Sequence, residues 1–239
     1  MKLTGIYDNR VSQKALLPGW GFSLLVEVGQ RNILFDTGAD LNTLKNNMEK
    51  LNLDPVNLDG VVLSHPHCDH VGGLSYILKK NSDVKVFFTE SFPDSLKGKI
   101  RSYGADPVTI KEPREIFEGI RSTGELIISY RGSNLPEQGL IADTSSGPVL
   151  VSGCAHPGIT VMVKKAREIS GCSPCLVIGG FHLGSKRREQ IRKIIGELRK
   201  ESVQRLAPTH CTGEKATGML ENEYGKDCLE FGAGANIFV

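Results

Sequence analysis

His65-Pro66-His67-Cys68-Asp69-His70 packs three imidazoles and a carboxylate into six residues. The other histidines of the chain stand in Gly153-Cys154-Ala155-His156, Gly179-Gly180-Phe181-His182 and Pro208-Thr209-His210. Each segment follows an apolar run, so the histidines gather at strand ends instead of scattering over a surface. Imidazole is the commonest metal ligand, and His with Asp makes a donor set suited to zinc and also to iron or manganese. Burying three imidazoles beside a carboxylate without such a role would be costly. The sequence therefore points to a metal centre with two divalent ions.

Gly60–Ser64 reads as a short buried strand that runs straight into His65. A backbone leaving a strand points alternate side chains the same way. His65 and His67 can thus grip one ion, while Asp69 and His70 turn toward a second. Further ligands must come from far along the chain, where His156, His182 and His210 remain. A site that leaves one position open for water is the pattern of catalytic zinc. Two adjacent ions can stabilise both the attacking and the leaving oxygens of a displacement.

Outward from the cluster, strands alternate with helices. Phe22–Val28 and Asn32–Phe35 read as a hairpin about Gly29-Gln30-Arg31. Leu41, Leu44, Met48 and Leu51 recur at helical spacing, as do Leu74, Ile77 and Leu78 in a helix expected to begin near His70. Val84–Thr89 reads as a strand, and residues 90–125 as a short helix followed by short strands. Glu125–Tyr130, Gly139–Asp143 and Pro148–Ser152 read as strands of a second sheet, with Leu176–Ile178 and Gln204–Ala207 as further strands. Gly158–Ile169 and Lys186–Lys200 read as helices. No low-complexity linker divides the two halves. The expectation is one α/β domain over residues 1–239, a four-layer αββα sandwich presenting its active residues at strand ends.

Composition narrows the partners. The chain has 239 residues, 39% hydrophobic and 23% charged, with net charge +2, so no strong field attracts nucleic acid or membranes. No run approaches the ~18 apolar residues of a membrane span, and the first residues do not read as a signal peptide. A cytoplasmic protein acting on a small molecule is expected. The cysteines are then expected as free thiols. Cys68, Cys154 and Cys211 read as lining the site, and Cys172-Ser173-Pro174-Cys175 as a loop entering a strand.

Together, Ile33-Leu34-Phe35-Asp36-Thr37-Gly38, the His65–His70 cluster with Val71-Gly72-Gly73-Leu74, and Pro208-Thr209-His210 resemble the metallo-β-lactamase superfamily over nearly the whole chain. The resemblance implies the αββα fold, with His65 and His67 on the first ion and Asp69, His70 and His210 on the second. Asp36 would lie behind the ligands as a support. Many members carry a separate His and a metal-bridging Asp; here Val149–Cys154 resembles the bridging strand but ends in Cys154. His156 then becomes the first ion's third ligand, and the bridging carboxylate is absent or replaced, with a Cys154 thiolate one replacement.

A narrower resemblance rests on Gly19-Trp20-Gly21-Phe22-Ser23, Glu137-Gln138-Gly139-Leu140, Ser152–Gly158 and Gly179-Gly180-Phe181-His182-Leu183. It is to the subgroup of the dihydropterin-methyl/ribofuranosyl-aminobenzene phosphate synthases of methanopterin biosynthesis. It implies transfer of a pterin-methyl group with release of pyrophosphate. A metal-dependent hydrolase of a phosphoester, lactone or thioester, attacking with a metal-held hydroxide, is the second reading. A metal-binding scaffold without turnover is the third. Asp69, His182 and Glu137 are the candidate catalytic groups, Glu137 as acid or base or as a residue that orders a ligand. His182 with Lys186, Arg187 and Arg188, at a helix start expected near Lys186, is a candidate site for a substrate phosphate.

Overall fold

A computed structural model describes residues 1–239. The first half runs β1 (Lys2–Tyr7), β2 (Ser23–Val28), β3 (Arg31–Phe35), α1 (Leu41–Lys50), β4 (Gly60–Val62), α2 (Cys68–Val71), α3 (Leu74–Lys80), β5 (Lys85–Thr89), α4 (Asp94–Ser102) and β6 (Asp106–Ile110). The second runs β7 (Arg114–Phe117), β8 (Ile120–Ser122), β9 (Leu126–Tyr130), β10 (Ser133–Glu137), β11 (Leu140–Ala142), β12 (Val149–Ser152), α5 (Ile159–Ser170), β13 (Leu176–Gly180), α6 (Arg188–Lys200), β14 (Arg205–Thr209), α7 (Glu214–Tyr224) and β15 (Asn236–Phe238). One sheet has the order β15-β1-β2-β3-β4-β5-β6 and the other β14-β13-β12-β11-β8-β7.

Period-two alternation builds the layers. Leu24, Val26, Ile33 and Phe35 point inward and meet Val149, Val151, Leu176 and Ile178 of the other sheet. Leu25, Leu34 and Val61 point the opposite way onto Leu44 and Met48 of α1 and Leu74 and Ile77 of α3. On the far side, Leu150, Val177 and Leu206 pack against Met162 and Val163 of α5 and Ile191 and Leu198 of α6. Three apolar seams between four layers make the αββα sandwich.

The structure departs from expectation in particular places. Glu125–Tyr130 does not join the second sheet: β9 pairs antiparallel with β10 as a separate two-stranded ribbon. Its burial pattern offers no fully apolar face, and Ile127 is exposed. The helix expected near His70 is two helices, α2 starting at Cys68 and α3 at Leu74. Gly72 and Gly73 separate them because a Cβ there would overlap the carbonyl oxygens of Ala39 and Thr37. The helix expected over Lys186–Lys200, α6, starts at Arg188, with Arg187 as its cap. Strands β1, β10 and β15 and helix α7 are additions to the expected elements.

Candidate metal centre

All the site segments leave the carboxyl ends of strands. Strands β3 and β4 are parallel neighbours, and β12, β13 and β14 are parallel to one another in register. Asp36 follows β3, the His65 cluster follows β4, and His156, His182 and His210 follow β12, β13 and β14 in turn. The edges of two sheets thus deliver residues far apart in sequence to one place.

Beneath the cluster lies Asp36, fully buried. Its Oδ1 accepts the Ser64 N–H at 2.7 Å, and its Oδ2 accepts Ser64 Oγ–H at 2.7 Å. The same Oδ2 lies 2.7 Å from His70 Nδ1, and Ser64 Oγ lies 2.8 Å from His65 Nδ1. With Nδ1 of each ring donating into this network, the Nε2 lone pairs of His65 and His70 face the centre. Glycine at 153 is required, because a Cβ would overlap Ser64 Oγ and stand 2.9 Å from Asp36 Oδ2.

Two ligand-like trios result. The nearest donor atoms of His65, His67 and His156 lie within 4.8 Å of one another, as do those of Asp69, His70 and His210. His65 Nε2 is 3.3 Å from His156 Nε2, and Asp69 Oδ2 is 3.4 Å from His210 Nε2. Ligands at about 2.0–2.1 Å from a tetrahedral ion stand roughly 3.3–3.4 Å apart, so these spacings suit zinc. His156 Nδ1, His182 Nδ1 and His210 Nε2 are buried polar atoms without a hydrogen-bond partner. Of these, His210 Nε2 faces the Asp69 carboxylate, and an unpartnered buried nitrogen beside a carboxylate fits a divalent cation.

Cys154 occupies the middle. Its Sγ is 3.3 Å from His70 Nε2 and belongs to close groups with His65 and His70, with His156 and His182, and with His210 and Cys211. The His182 ring lies against that of His156 at a tilt of 50°, with ring centroids 4.4 Å apart.

The electrostatics match this arrangement. Burial, then the neighbouring imidazoles, hold His65 well below the ordinary histidine range. The same causes bring His156 down to about 3. Both rings are therefore neutral at pH 7, the form that binds metal. At His70 burial is outweighed by the Asp36 carboxylate, which raises the ring. At Asp69 burial is outweighed by His210 and His70, which hold the carboxyl low.

Glu137 has a place the sequence did not specify. It ends β10, is fully buried, and accepts the N–H groups of Cys154 and Ala155 at Oε1 and of His156 at Oε2, at 2.7–3.0 Å. Burial raises its carboxyl to about 7 against the pull of those three bonds. It does not line the cavity, so the structure favours the ordering of His156 over proton exchange with a substrate. Gln138 is equally buried, and its side chain donates to the Leu63 carbonyl at 2.9 Å.

Above the trios opens a cavity of about 650 Å³. His67, Asp69, Cys154, His156, His182, His210 and Cys211 line it, with Gly184 and Ser185. Lys186, Arg187 and Arg188 do not; Arg188 faces a separate depression with Arg192 and Glu223. Of the three thiols expected at the site, Cys68 is exposed and outside the cavity. All six cysteines are free. Trp20, Tyr130 and Arg131 also line the cavity, unanticipated by the sequence reading. Their signal was an aromatic between glycines, Gly19-Trp20-Gly21, and a Tyr130-Arg131-Gly132 turn.

Comparison with known proteins agrees with this picture. Residues 18–165 match the family model of the metallo-beta-lactamase superfamily. A 7,8-dihydropterin-6-methyl-4-(beta-D-ribofuranosyl)-aminobenzene-5'-phosphate synthase of Methanocaldococcus jannaschii is 35% identical over 92% of this chain and 91% of its own. An uncharacterized protein of that organism is 30% identical over 90% of this chain and 92% of its own. The crystal structure of a metal-dependent hydrolase of the beta-lactamase superfamily superposes with a TM-score of 0.83 and 26% identity, covering 100% of this chain and 99% of that one. The chain is accordingly an enzyme, and the reading as an inert scaffold falls. By motif, fold and end-to-end likeness it belongs to the metallo-beta-lactamase superfamily, in the subgroup of the dihydropterin-linked synthase.

Proposed function

We propose that the chain is a metal-dependent transferase that joins a dihydropterin-methyl group to a ribosyl-aminobenzene phosphate, releasing pyrophosphate. The observation that carries this reading is the likeness to the named synthase along 92% of the chain. The cavity's donor set alone serves transfer and hydrolysis equally. His65, His67 and His156 would hold one divalent ion, and Asp69, His70 and His210 a second, with Cys154 between them. Zinc is favoured by the donor set, with manganese or iron as the other candidates. When bound, the ions supply positive charge that neutralises a diphosphate as it departs.

The remaining chemistry belongs to side chains. The methylene carbon–oxygen bond breaks, the diphosphate leaves with the electron pair, and the aryl partner forms the new bond to that carbon. The aryl partner must then lose a proton. His182 lines the cavity and stands outside both trios, so it is our candidate to take that proton. Glu137 acts as a positioning residue through the backbone of residues 154–156. Asp36 and Ser64 fix the ring orientations of His65 and His70.

The hydrolase reading is retained because the 26%-identical solved relative is a metal-dependent hydrolase. Metal counting combined with a split assay separates the two. Dihydropterin-methyl diphosphate is offered with and without the arylamine ribose phosphate. Pyrophosphate release that depends on the arylamine supports the synthase. Arylamine-independent hydrolysis of generic phosphodiesters or lactones replaces it with the hydrolase.

A further inference from the structure

We propose that Trp20 and Tyr130 form the two walls of a slot for a flat heteroaromatic ring, with Arg131 at its mouth binding an anionic group carried by that ring. The slot deepens the synthase reading and rests on it for the identity of the ring. None of its three residues belongs to either trio.

Trp20 is the single tryptophan of the chain and is 62% exposed. It is nevertheless pinned. Its ring lies against His210 of the second trio, with centroids 4.9 Å apart. Gly19 before it has no room for a Cβ beside the Tyr7 ring, and Gly21 after it packs on the Asp69 carbonyl. A large aromatic held open to water by a rigid loop marks a recognition surface.

Tyr130 stands over the other trio. Its ring centroid is 5.5 Å from that of His67 and 4.8 Å from that of His156. It is delivered there by the β9–β10 ribbon, which belongs to neither sheet and ends in Arg131 at a left-handed φ of 49°. The Arg131 guanidinium carbon lies 5.4 Å from the Tyr130 ring centre and forms no ion pair, although it lines the cavity. An unpaired guanidinium beside an aromatic face is suited to an anion on a stacked ring. One aromatic thus stands above each trio, around a cavity of about 650 Å³, a volume that holds one fused bicyclic ring with its substituent.

Because Trp20 is unique, its emission reports on the slot directly in the metal-loaded protein. Three probes are titrated: pterin-6-methyl phosphate, adenosine 5′-monophosphate and glycerol 3-phosphate. Both aromatic phosphates are expected to quench Trp20, and glycerol phosphate is not. Arg131→Ala and Tyr130→Ala are each expected to raise the dissociation constants of the aromatic phosphates at least tenfold, with Tyr130→Phe retaining affinity. Trp20→Ala, followed by calorimetry, is expected to weaken them at least fivefold, with Trp20→Phe restoring binding. Metal content per chain checks that each variant keeps its centre.

Quenching by the nucleotide without arylamine-dependent pyrophosphate release supports the slot and removes the synthase reading. Arylamine-dependent turnover with unchanged KM in Tyr130→Ala and Arg131→Ala keeps the synthase and overturns the slot. Absence of quenching by either aromatic phosphate also overturns it.

Discussion

At the scale of single residues, the centre depends on side chains that never reach the cavity. Glu137 is the strongest case, since one carboxylate accepts three N–H groups of the loop that carries His156. Glu137→Gln leaves one of those donors facing an amide N–H₂. It is expected to cost roughly 2 kcal/mol of stability and to weaken metal retention, measured by thermal melting and metal content. Titration gives a second expectation. In the metal-free protein His156 takes up a proton near pH 3, and in the unfolded chain near 6.5. The unfolded chain binds more protons across that window, so stability falls as pH drops through it. Glu137 acts in the opposite sense: its contribution is full below 4.5 and is lost as pH rises through about 7. The melting temperature in chelator should fall shallowly from pH 6.5 to 4.5 and steeply below. In Glu137→Gln the steep fall should begin at 6.5. The histidines were legible in the sequence because a metal ligand set needs a rare residue type in clusters. Glu137 was legible as a candidate but not in its role, since a carboxylate that caps backbone N–H groups leaves no spacing pattern.

Elements decide how closely the segments approach. The ends of β4 and β12 cross at Ser64 and Gly153, where only glycine fits. Gly153→Ala should push the 153–156 loop away from Ser64 and cost 1–3 kcal/mol, an overpacking magnitude. The expected reading is a lower melting temperature together with loss of metal from the His65, His67 and His156 trio, with the other trio retained. The ribbon β9–β10 shows what an element can hide. Its strand character was readable at Glu125–Tyr130, but its partner was not. Ser133–Glu137 contains Pro136 and carries no alternation, and the pairing comes from a turn at Arg131-Gly132. A three-residue strand such as β15 is too short to leave a pattern. In α7 the buried face is built from Ala216, Thr217, Leu220 and Tyr224, too mixed to stand out as an apolar stripe.

The whole molecule is two sheets held by one seam, and its donor residues come from both. The first sheet supplies His65, His67, Asp69 and His70; the second supplies Cys154, His156, His182 and His210. Metal bound only by the folded form stabilises it by mass action. Chelation should therefore lower the melting temperature by several degrees, and two equivalents of zinc should restore it. The layers were legible early because alternation in Ser23–Phe35 and Val149–Ser152 assigns each residue to the seam or to a helix layer. Four residues other than glycine at this centre, Asp36, Ala155, His182 and His210, hold φ between 51° and 58°. Such backbone conformations cost about 1 kcal/mol or more each for residues with a Cβ, so the protein builds this centre where its chain is least comfortable. A laboratory selection for heat resistance alone, run without substrate, should collect glycine first at Ala155 and His182, whose side chains belong to neither trio nor the Asp36 network. The survivors would be sturdier and inert, so robustness and chemistry in this lineage compete for the same handful of codons.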